Sequence, residues 1–378
     1  MSGHEAPSLL LDDEQKMLSK TVHELVRERA PASRLRTFRD SDDSLGFSKS
    51  LWKDMADLGW LGLQIPEAHG GMGLGFFDLC VVLEQTGREL MPEPFVSTLL
   101  LSTQALLLGG SEAQKASWLP GVVSGDLVLS LGYEDVGAAR SDRIDARQTS
   151  DGYELRGWVS HVLDAHVADR IIVEASTRGG DSTLFLVDPT RPEVSITRQR
   201  RLDGLNAGIV RLEGLRVKED DVVGSLGGGV ALMEAVLDRA AVGLAAQMLG
   251  GSEQAFTDTL AYLKERQQFD VPIGSFQALQ HRAVAIFTEI ALTRSVVLAA
   301  ARAIDQGSTD VRRLSSLAKA IASDTFLLAS KEAIQMHGGI GVTDEHDIGL
   351  YLKRAQGTYM TFGKPSQHRR RWAELHGY

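Results

Sequence analysis

Residues Lys264 to Arg282 read KERQQFDVPIGSFQALQHR, and how that stretch is parsed decides the fold. Upstream, Phe256, Leu260 and Leu263 recur at helical spacing as far as Arg266. Asp270 and Pro272 then break the helix, because proline has no amide N–H to donate and its ring clashes with the preceding turn. Ser275-Phe276-Gln277 opens a second helix. The stretch is therefore an elbow between two helices, and it holds Arg266, Phe269 and Gln277 at fixed spacing. A guanidinium fork suits phosphate, an aromatic ring suits stacking and a side-chain amide suits polar edges, so the set could grip a flat, anionic ligand. An ordinary helix connection with a surface arginine would carry the same residues.

Towards the C-terminus, Glu332 to Gly341 reads EAIQMHGGIG, a helical run ending in paired glycines. Gly338 and Gly339 either cap that helix at positive φ or let a backbone approach a ligand closely. From Leu226 onward the chain is helical to its end, with amphipathic runs at 230–265, 275–305, 310–336 and 345–360. Before that, LVLSLGY, YELRGWVSHV, DRIIVEAS, STLFLVD, VSITRQR and AGIVRLEGLRV are short segments rich in Val, Ile, Leu and Thr with turn residues between them, the signature of a β-domain. Residues 1 to about 120 read as helices, including Leu11 to Val26, Leu51 to Leu58 and Phe77 to Leu90, the last two separated by a loop containing Pro66 and glycines 70, 71, 73 and 75. The expected architecture is α+β in three parts: an N-terminal helical domain (1–120), a middle β-domain (121–225) and a C-terminal helical bundle (226–378).

At 378 residues the chain exceeds a comfortable single core, which agrees with several domains. Forty Lys and Arg against fifty Asp and Glu give a net charge of −10, which argues against a nucleic-acid partner. A phosphorylated ligand must then be held by local groups. The single cysteine, Cys80, lies in an apolar run and is expected to be a buried small hydrophobe. The start, MSGHEAPSLLLDDEQ, has no basic or apolar leader pattern and no uninterrupted apolar run approaches membrane-spanning length, so no membrane contact and a cytoplasmic location are expected. No metal site is read. The basic cluster His368 to Arg371 is expected to pair with acids or with a helix terminus.

The order R-x-x-F-x-x-x-I-x-x-F-Q from Arg266, then Q-x-H-G-G-I-G from Gln335, then EHD and LYLKRA, resembles the acyl-CoA dehydrogenase family. Within it the chain is most similar to the small subunit of pimeloyl-CoA-type heteromeric acyl-CoA dehydrogenases. The resemblance covers nearly the whole chain, and its C-terminal half is the specific part. It implies an N-terminal helical domain, a middle β-barrel-like domain and a C-terminal four-helix bundle. It also implies FAD as cofactor, an acyl-CoA substrate from fatty acid or steroid side-chain catabolism, and an electron-transfer flavoprotein or similar acceptor. Arg266, Phe269, Gln277, Gln335, Gly338 and Gly339 would hold the adenine-diphosphate end of FAD across a subunit interface. Glycine N–H groups that approach a pyrophosphate suit this role. Asp270 departs from the family's usual glycine.

The flavin-ring end departs further. Where members carry T-E-P-G-x-G-S-D, this chain reads YEDVGAARSD and keeps Glu134, Gly137, Ser141 and Asp142. Where members carry W-I-T-N-G, it keeps Gly157 but has His161 in place of the Trp. A base for the substrate's α-proton is also missing. The family's C-terminal Glu segment matches Phe362-Gly363-Lys364, and its alternative Glu position matches Ala240. Asp238 is two residues away, about 200° around a helix. Three readings stay open: a subunit of a heteromeric enzyme, a heterotetramer whose homologous partner supplies the base; a self-sufficient dehydrogenase, as a homo-oligomer, using Asp238, Glu134 or Glu234; or a structural partner or other flavin chemistry on the same fold. Leu61, Met72, Phe76 and Phe77 are the candidates for an acyl pocket wall.

Overall fold

The first helix starts where the sequence supplies a reciprocal cap. Asp12 Oδ1 accepts the Gln15 N–H at 2.8 Å while Gln15 Oε1 accepts the Asp12 N–H at 3.2 Å, opening α1 (Asp13–Arg29). These coordinates are a computed structural model, which describes residues 10–41, 43–133, 143–177 and 181–378. After α1 come α2 (Arg34–Asp40), α3 (Lys49–Asp57), α4 (Phe76–Arg88), α5 (Thr103–Gly109) and α6 (Glu112–Val123). Leu61, Phe76 and Phe77 belong to the core of this helical part, and Cys80 is buried there as a free thiol.

Among the described residues, the middle of the chain forms one mixed sheet of eight strands. They are β1 (Leu129–Gly132), β2 (Ile144–Thr149), β3 (Gly152–Leu163), β4 (Arg170–Ser176), β5 (Ser182–Val187), β6 (Val194–Arg200), β7 (Asn206–Val217) and β8 (Val222–Val223). Their order is β6-β7-β3-β2-β4-β5-β8, with β1 parallel to β4 off that path. Leu155, Val173, Phe185 and Val210 form its own apolar cluster. β2 has no sequence signal, because IDARQT lacks an apolar alternation: it exposes four of its six residues and buries only Ile144. The β3–β7 register slips between Val159 and Val162, and His161 sits in that irregularity with φ +58°. Such bulges re-aim side chains beside sites.

The remainder is helical: α7 (Gly229–Glu265), α8 (Gln277–Asp305), α9 (Val311–His337), α10 (Ile348–Met360) and α11 (Pro365–Leu375). α7 lies directly against the α4 backbone. A Cβ on Gly250 would be 1.8 Å from the Glu84 carbonyl oxygen, and one on Gly87 would be 2.1 Å from that of Gln247, so only glycine permits the approach. Asp305, the last residue of α8, accepts the Phe76 and Phe77 N–H groups at 2.5 and 3.0 Å, and so caps α4 from the bundle. Helix, sheet, helix is thus the built order, as expected from the sequence. The basic cluster pairs with acids: Arg369 with Asp324, Arg370 with Glu374 and Arg371 with Asp238. Among the described residues α8 alone is long and apolar enough to cross a membrane by length and composition. It packs on α7 and α9 and leaves Val284, Phe287 and Leu292 exposed on its outward side.

Candidate functional site

The elbow is a hairpin set between two helices. α7 is capped by Arg266, whose carbonyl accepts the Ile273 N–H at 2.8 Å, and between them β9 (Gln267–Gln268) pairs with β10 (Val271–Pro272). The two-residue loop, Phe269 and Asp270, has φ +53° and +62°, the sign pattern of a tight hairpin turn that normally selects glycine, asparagine or aspartate. An aromatic residue in the left-handed region is a strained choice, and strain of that kind concentrates at ligand clamps. Phe269 is also 85% exposed, braced edge-on by Phe276 at 6.0 Å. Arg266 and Gln277 are exposed, and neither side chain has a hydrogen-bond or ion-pair partner among the described residues.

The glycine turn lies at the same end of the bundle. α9 ends at His337, and Gly338 follows with φ +65°, so this residue needs to be glycine for its own backbone. Gly339 has no such need, yet a Cβ on either glycine would meet nothing within 4 Å. The backbone there is open on one side. Three contacts bring the turn and the elbow together. Tyr262, one turn before Arg266, stacks on His337 at 4.4 Å, His337 meets His346 at 4.7 Å, and Arg282 pairs with Glu332 at 2.8 Å. His337 Nδ1–H donates to the Ala333 carbonyl at 2.7 Å, which fixes its tautomer. Gln335 is exposed on the same terminal turn of α9. All six residues named from the sequence are solvent-facing at one end of the bundle, with a guanidinium that has no partner among the described residues, an exposed ring braced by Phe276 and open glycine backbone. That is the donor set a nucleotide pyrophosphate and adenine need, and the space beside Gly338 and Gly339 is where such a group would fit.

A cavity of about 770 Å³ lies elsewhere, between sheet and bundle. β3 contributes Ser160 and His161, β6 and the turn after it contribute Arg200 and Arg201, and the α10–α11 connection contributes Phe362, Gly363 and Lys364. Leu101 from the N-terminal helices closes another side. No carboxylate is among its described lining residues. His161 Nδ1 is 3.1 Å from Ser160 Oγ and the residue is exposed. Gly157 carries φ +132° on the same strand. Glu134, Gly137, Ser141 and Asp142 lie outside the described residues.

The remaining candidates move away from this cavity. Asp238 is 3% exposed and faces α11, where it forms a two-point ion pair with Arg371, Oδ2 lying 3.1 Å from Nη2. Burial pushes its carboxyl up, against the pull of Arg371. Glu234 pairs with Arg312 at 3.0 Å on the surface. Neither lines the cavity, so the structure gives neither a place beside a substrate there. Leu61, Phe76 and Phe77 are core residues and Met72 is exposed, and none of the four lines the cavity. The first three belong to the buried cluster of the N-terminal helices. Sequence reasoning missed Lys319. It is fully buried on α9, where its Nζ donates to the carbonyl oxygen of cavity residue Gly363 at 3.0 Å.

Comparison with known proteins follows the same division. Residues 12–126 match the model of the acyl-CoA dehydrogenase N-terminal domain and residues 227–374 that of the acyl-CoA dehydrogenase C-terminal domain. The chain is 30% identical over 362 residues to the acyl-CoA dehydrogenase IpdE2 of Mycolicibacterium smegmatis, covering 96% of this chain and 98% of that protein. Among solved structures it is similar to a variant of the Tcur3481-Tcur3483 steroid ACAD, with 32% identity, TM-score 0.86 and coverage of 97% and 98%. It is also similar to the ChsE4-ChsE5 complex of Mycobacterium tuberculosis, with 26% identity, TM-score 0.88 and the same coverage.

Proposed function

Because this chain belongs to the acyl-CoA dehydrogenase family, we propose that it is one subunit of a heteromeric, FAD-dependent acyl-CoA dehydrogenase. Its elbow and glycine turn would grip the adenine-diphosphate end of a flavin seated mainly in a homologous neighbour. The observation that carries this reading is a contrast in what has been kept. Arg266, Phe269, Gln277, Gln335 and the Gly338-Gly339 backbone are exposed at one end of the bundle, and the three polar side chains have no partner among the described residues, while the cavity that would face the flavin ring has no carboxylate among its described lining residues. Two structures of similar chains, ChsE4-ChsE5 and Tcur3481-Tcur3483, carry paired names, which supports a two-chain assembly for this protein as well.

Bound FAD supplies the hydride acceptor for α,β-desaturation of an acyl-CoA thioester. The protein's tasks are then to hold the cofactor, to bind the thioester and to receive the α-proton. In this chain Arg266 would neutralise pyrophosphate charge through paired N–H donors, Phe269 would cover the adenine face, and the amides of Gln277 and Gln335 would meet polar edges. The proton acceptor would come from the partner subunit. Losing a positioned base removes about 10²–10⁴-fold in rate, so this chain alone would be a poor dehydrogenase. The outward face of α8, with Val284, Phe287 and Leu292 uncovered, gives a partner helix an apolar surface to pack on.

Purification tests this directly. The chain expressed alone should be colourless or weakly yellow, and co-expression with a homologous chain that carries the family's Glu should give a flavin-loaded complex that oxidises acyl-CoA. Full flavin occupancy and acyl-CoA turnover by this chain alone would instead support a self-sufficient enzyme, with Glu134 as the remaining candidate base. Flavin binding with no response to any acyl-CoA would point to other chemistry on the same fold.

A further inference from the structure

Lys319 is 0% exposed, and among the described residues it forms no ion pair. A buried ammonium without a carboxylate is costly unless its hydrogen bonds are met by well-placed acceptors. Here Nζ donates to Ser323 Oγ at 2.9 Å and to the Gly363 carbonyl at 3.0 Å. One residue earlier, the Phe362 carbonyl accepts a 2.8 Å bond from His368 Nε2, which must carry the proton because a carbonyl only accepts. Both gripped carbonyls belong to residues at positive φ, Phe362 at +58° and Gly363 at +99°. The turn is thus a strained segment whose shape depends on contacts from beneath, and its other side is a wall of the 770 Å³ cavity.

We propose that Lys319 is a positioning residue for this cavity: acting from inside the bundle through the Gly363 carbonyl, it fixes the Phe362–Gly363 turn and thereby the shape of the wall that a ligand meets. His368 supports it from α11 through Phe362. The charged and titratable groups around Lys319 are few. Asp324 on its own helix is engaged by Arg369, and His368 is held neutral by burial, pushed down to about 4. Burial brings the Lys319 amine down to about 7, and the loss of so much basicity for two hydrogen bonds marks a site where the amine's geometry matters more than its charge. The step from wall to acyl-CoA rests on the function proposed above, whereas the step from Lys319 to the turn rests on geometry alone.

The experiment is hydrogen exchange on the full-length chain, read together with ligand binding by the flavin-loaded complex. Lys319→Met keeps the length and apolar stem of the side chain and removes the donor. Amides of residues 361–368 should then exchange on the order of tenfold faster or more, the effect of losing one charge-assisted bond, with α7 and the rest of α9 unchanged. Ser323→Ala, which removes the other acceptor, should leave residues 361–368 at wild-type rates. In the complex, Lys319→Met should weaken acyl-CoA binding about tenfold by the same bond and leave FAD retention unaltered, and Lys319→Gln, which restores an N–H donor, should recover part of it. Unchanged exchange at 361–368, or acceleration spread evenly along α9, would overturn the proposal. If exchange changes as expected but the wild-type complex binds no acyl-CoA, the positioning role stands and the functional reading fails.

Discussion

The two ends of the site are built in opposite ways. At the bundle end, Arg266, Gln277 and Gln335 have no hydrogen-bond or ion-pair partner among the described residues and Phe269 stands 85% exposed, so these groups are open to a ligand. At the cavity end, charges are spent internally: Arg201 on Asp203 at 3.0 Å and the Lys319 amine, behind the wall, on a backbone carbonyl, while Asp238, away from the cavity, is spent on Arg371. Groups used for structure cannot also serve a substrate without breaking what they hold. The contrast implies that this chain is a provider of contacts at one end and a scaffold at the other.

The largest expected effect tests the scaffold half. Asp238→Asn leaves Arg371 partly buried without its counter-charge, and breaking a pair of this kind costs roughly 3 kcal/mol. Thermal or denaturant unfolding should show that loss while FAD retention of the assembled complex stays at wild-type level. If stability holds and only acyl-CoA oxidation falls, Asp238 is a reacting group and the contrast between the two ends fails.

The bundle end was legible in the sequence because each of its parts is local. A broken helical period, a proline and a glycine pair leave marks within a few residues, so the elbow and the helical runs at 230–265 and 275–305 follow from spacing, whereas Gln335, Gly338 and Gly339 are joined to Arg266, Phe269 and Gln277 as one set by the family resemblance. The cavity end is assembled from segments far apart in the chain, Leu101, His161, Arg201 and Phe362 among them, and no single window contains it. Lys319 shows why burial is hard to read: in SLAKAIAS the lysine falls on the inward face of α9, and only the packing of α11 over it reveals that its amine is enclosed. β2 escaped for a similar reason, since a strand paired on both sides by hydrogen bonds does not need an apolar alternation to form.

The next effect tests the provider half. Arg266→Ala should lower FAD affinity of the assembled complex by about 1.5–3 kcal/mol, the range for hydrogen bonds to charged groups, with little change in the stability of the isolated chain because Arg266 has no partner among its described residues. Unaltered flavin retention in equilibrium dialysis would remove the elbow from the site.

Lys319 gives a pH test of how deeply the scaffold is sealed. Its folded value of about 7 lies below the 10.5 of an unfolded lysine, so between those values the unfolded chain binds more protons than the folded one. Stability should therefore rise with pH across that window, by at most about 1.4 kcal/mol per pH unit for one proton, and be lost again as pH falls towards 7. In Lys319→Met the slope should flatten. An equal slope in both proteins would mean the amine reaches solvent, and the enclosed wall behind Phe362 would not exist as described.

The smallest effect sharpens the contrast at its most strained point. Asp270 occupies φ +62° in a two-residue hairpin loop, where glycine adopts the backbone without cost and aspartate is tolerated at a modest one. Asp270→Gly should stabilise the isolated chain by about 0.5 kcal/mol or less, the benefit of relieving strain being partly offset by the greater freedom glycine has when unfolded. A carboxylate beside a pyrophosphate also repels it, so the same change should tighten FAD binding a few-fold at low salt, with the gain shrinking as ionic strength rises and the Debye length falls to about 8 Å. A salt-independent result would mean the Asp270 carboxylate faces away from the phosphates, which leaves Phe269 and Arg266 as the elbow's contacts. A loss of affinity would mean that the strained aspartate is itself part of the grip, through a hydrogen bond to ribose or adenine.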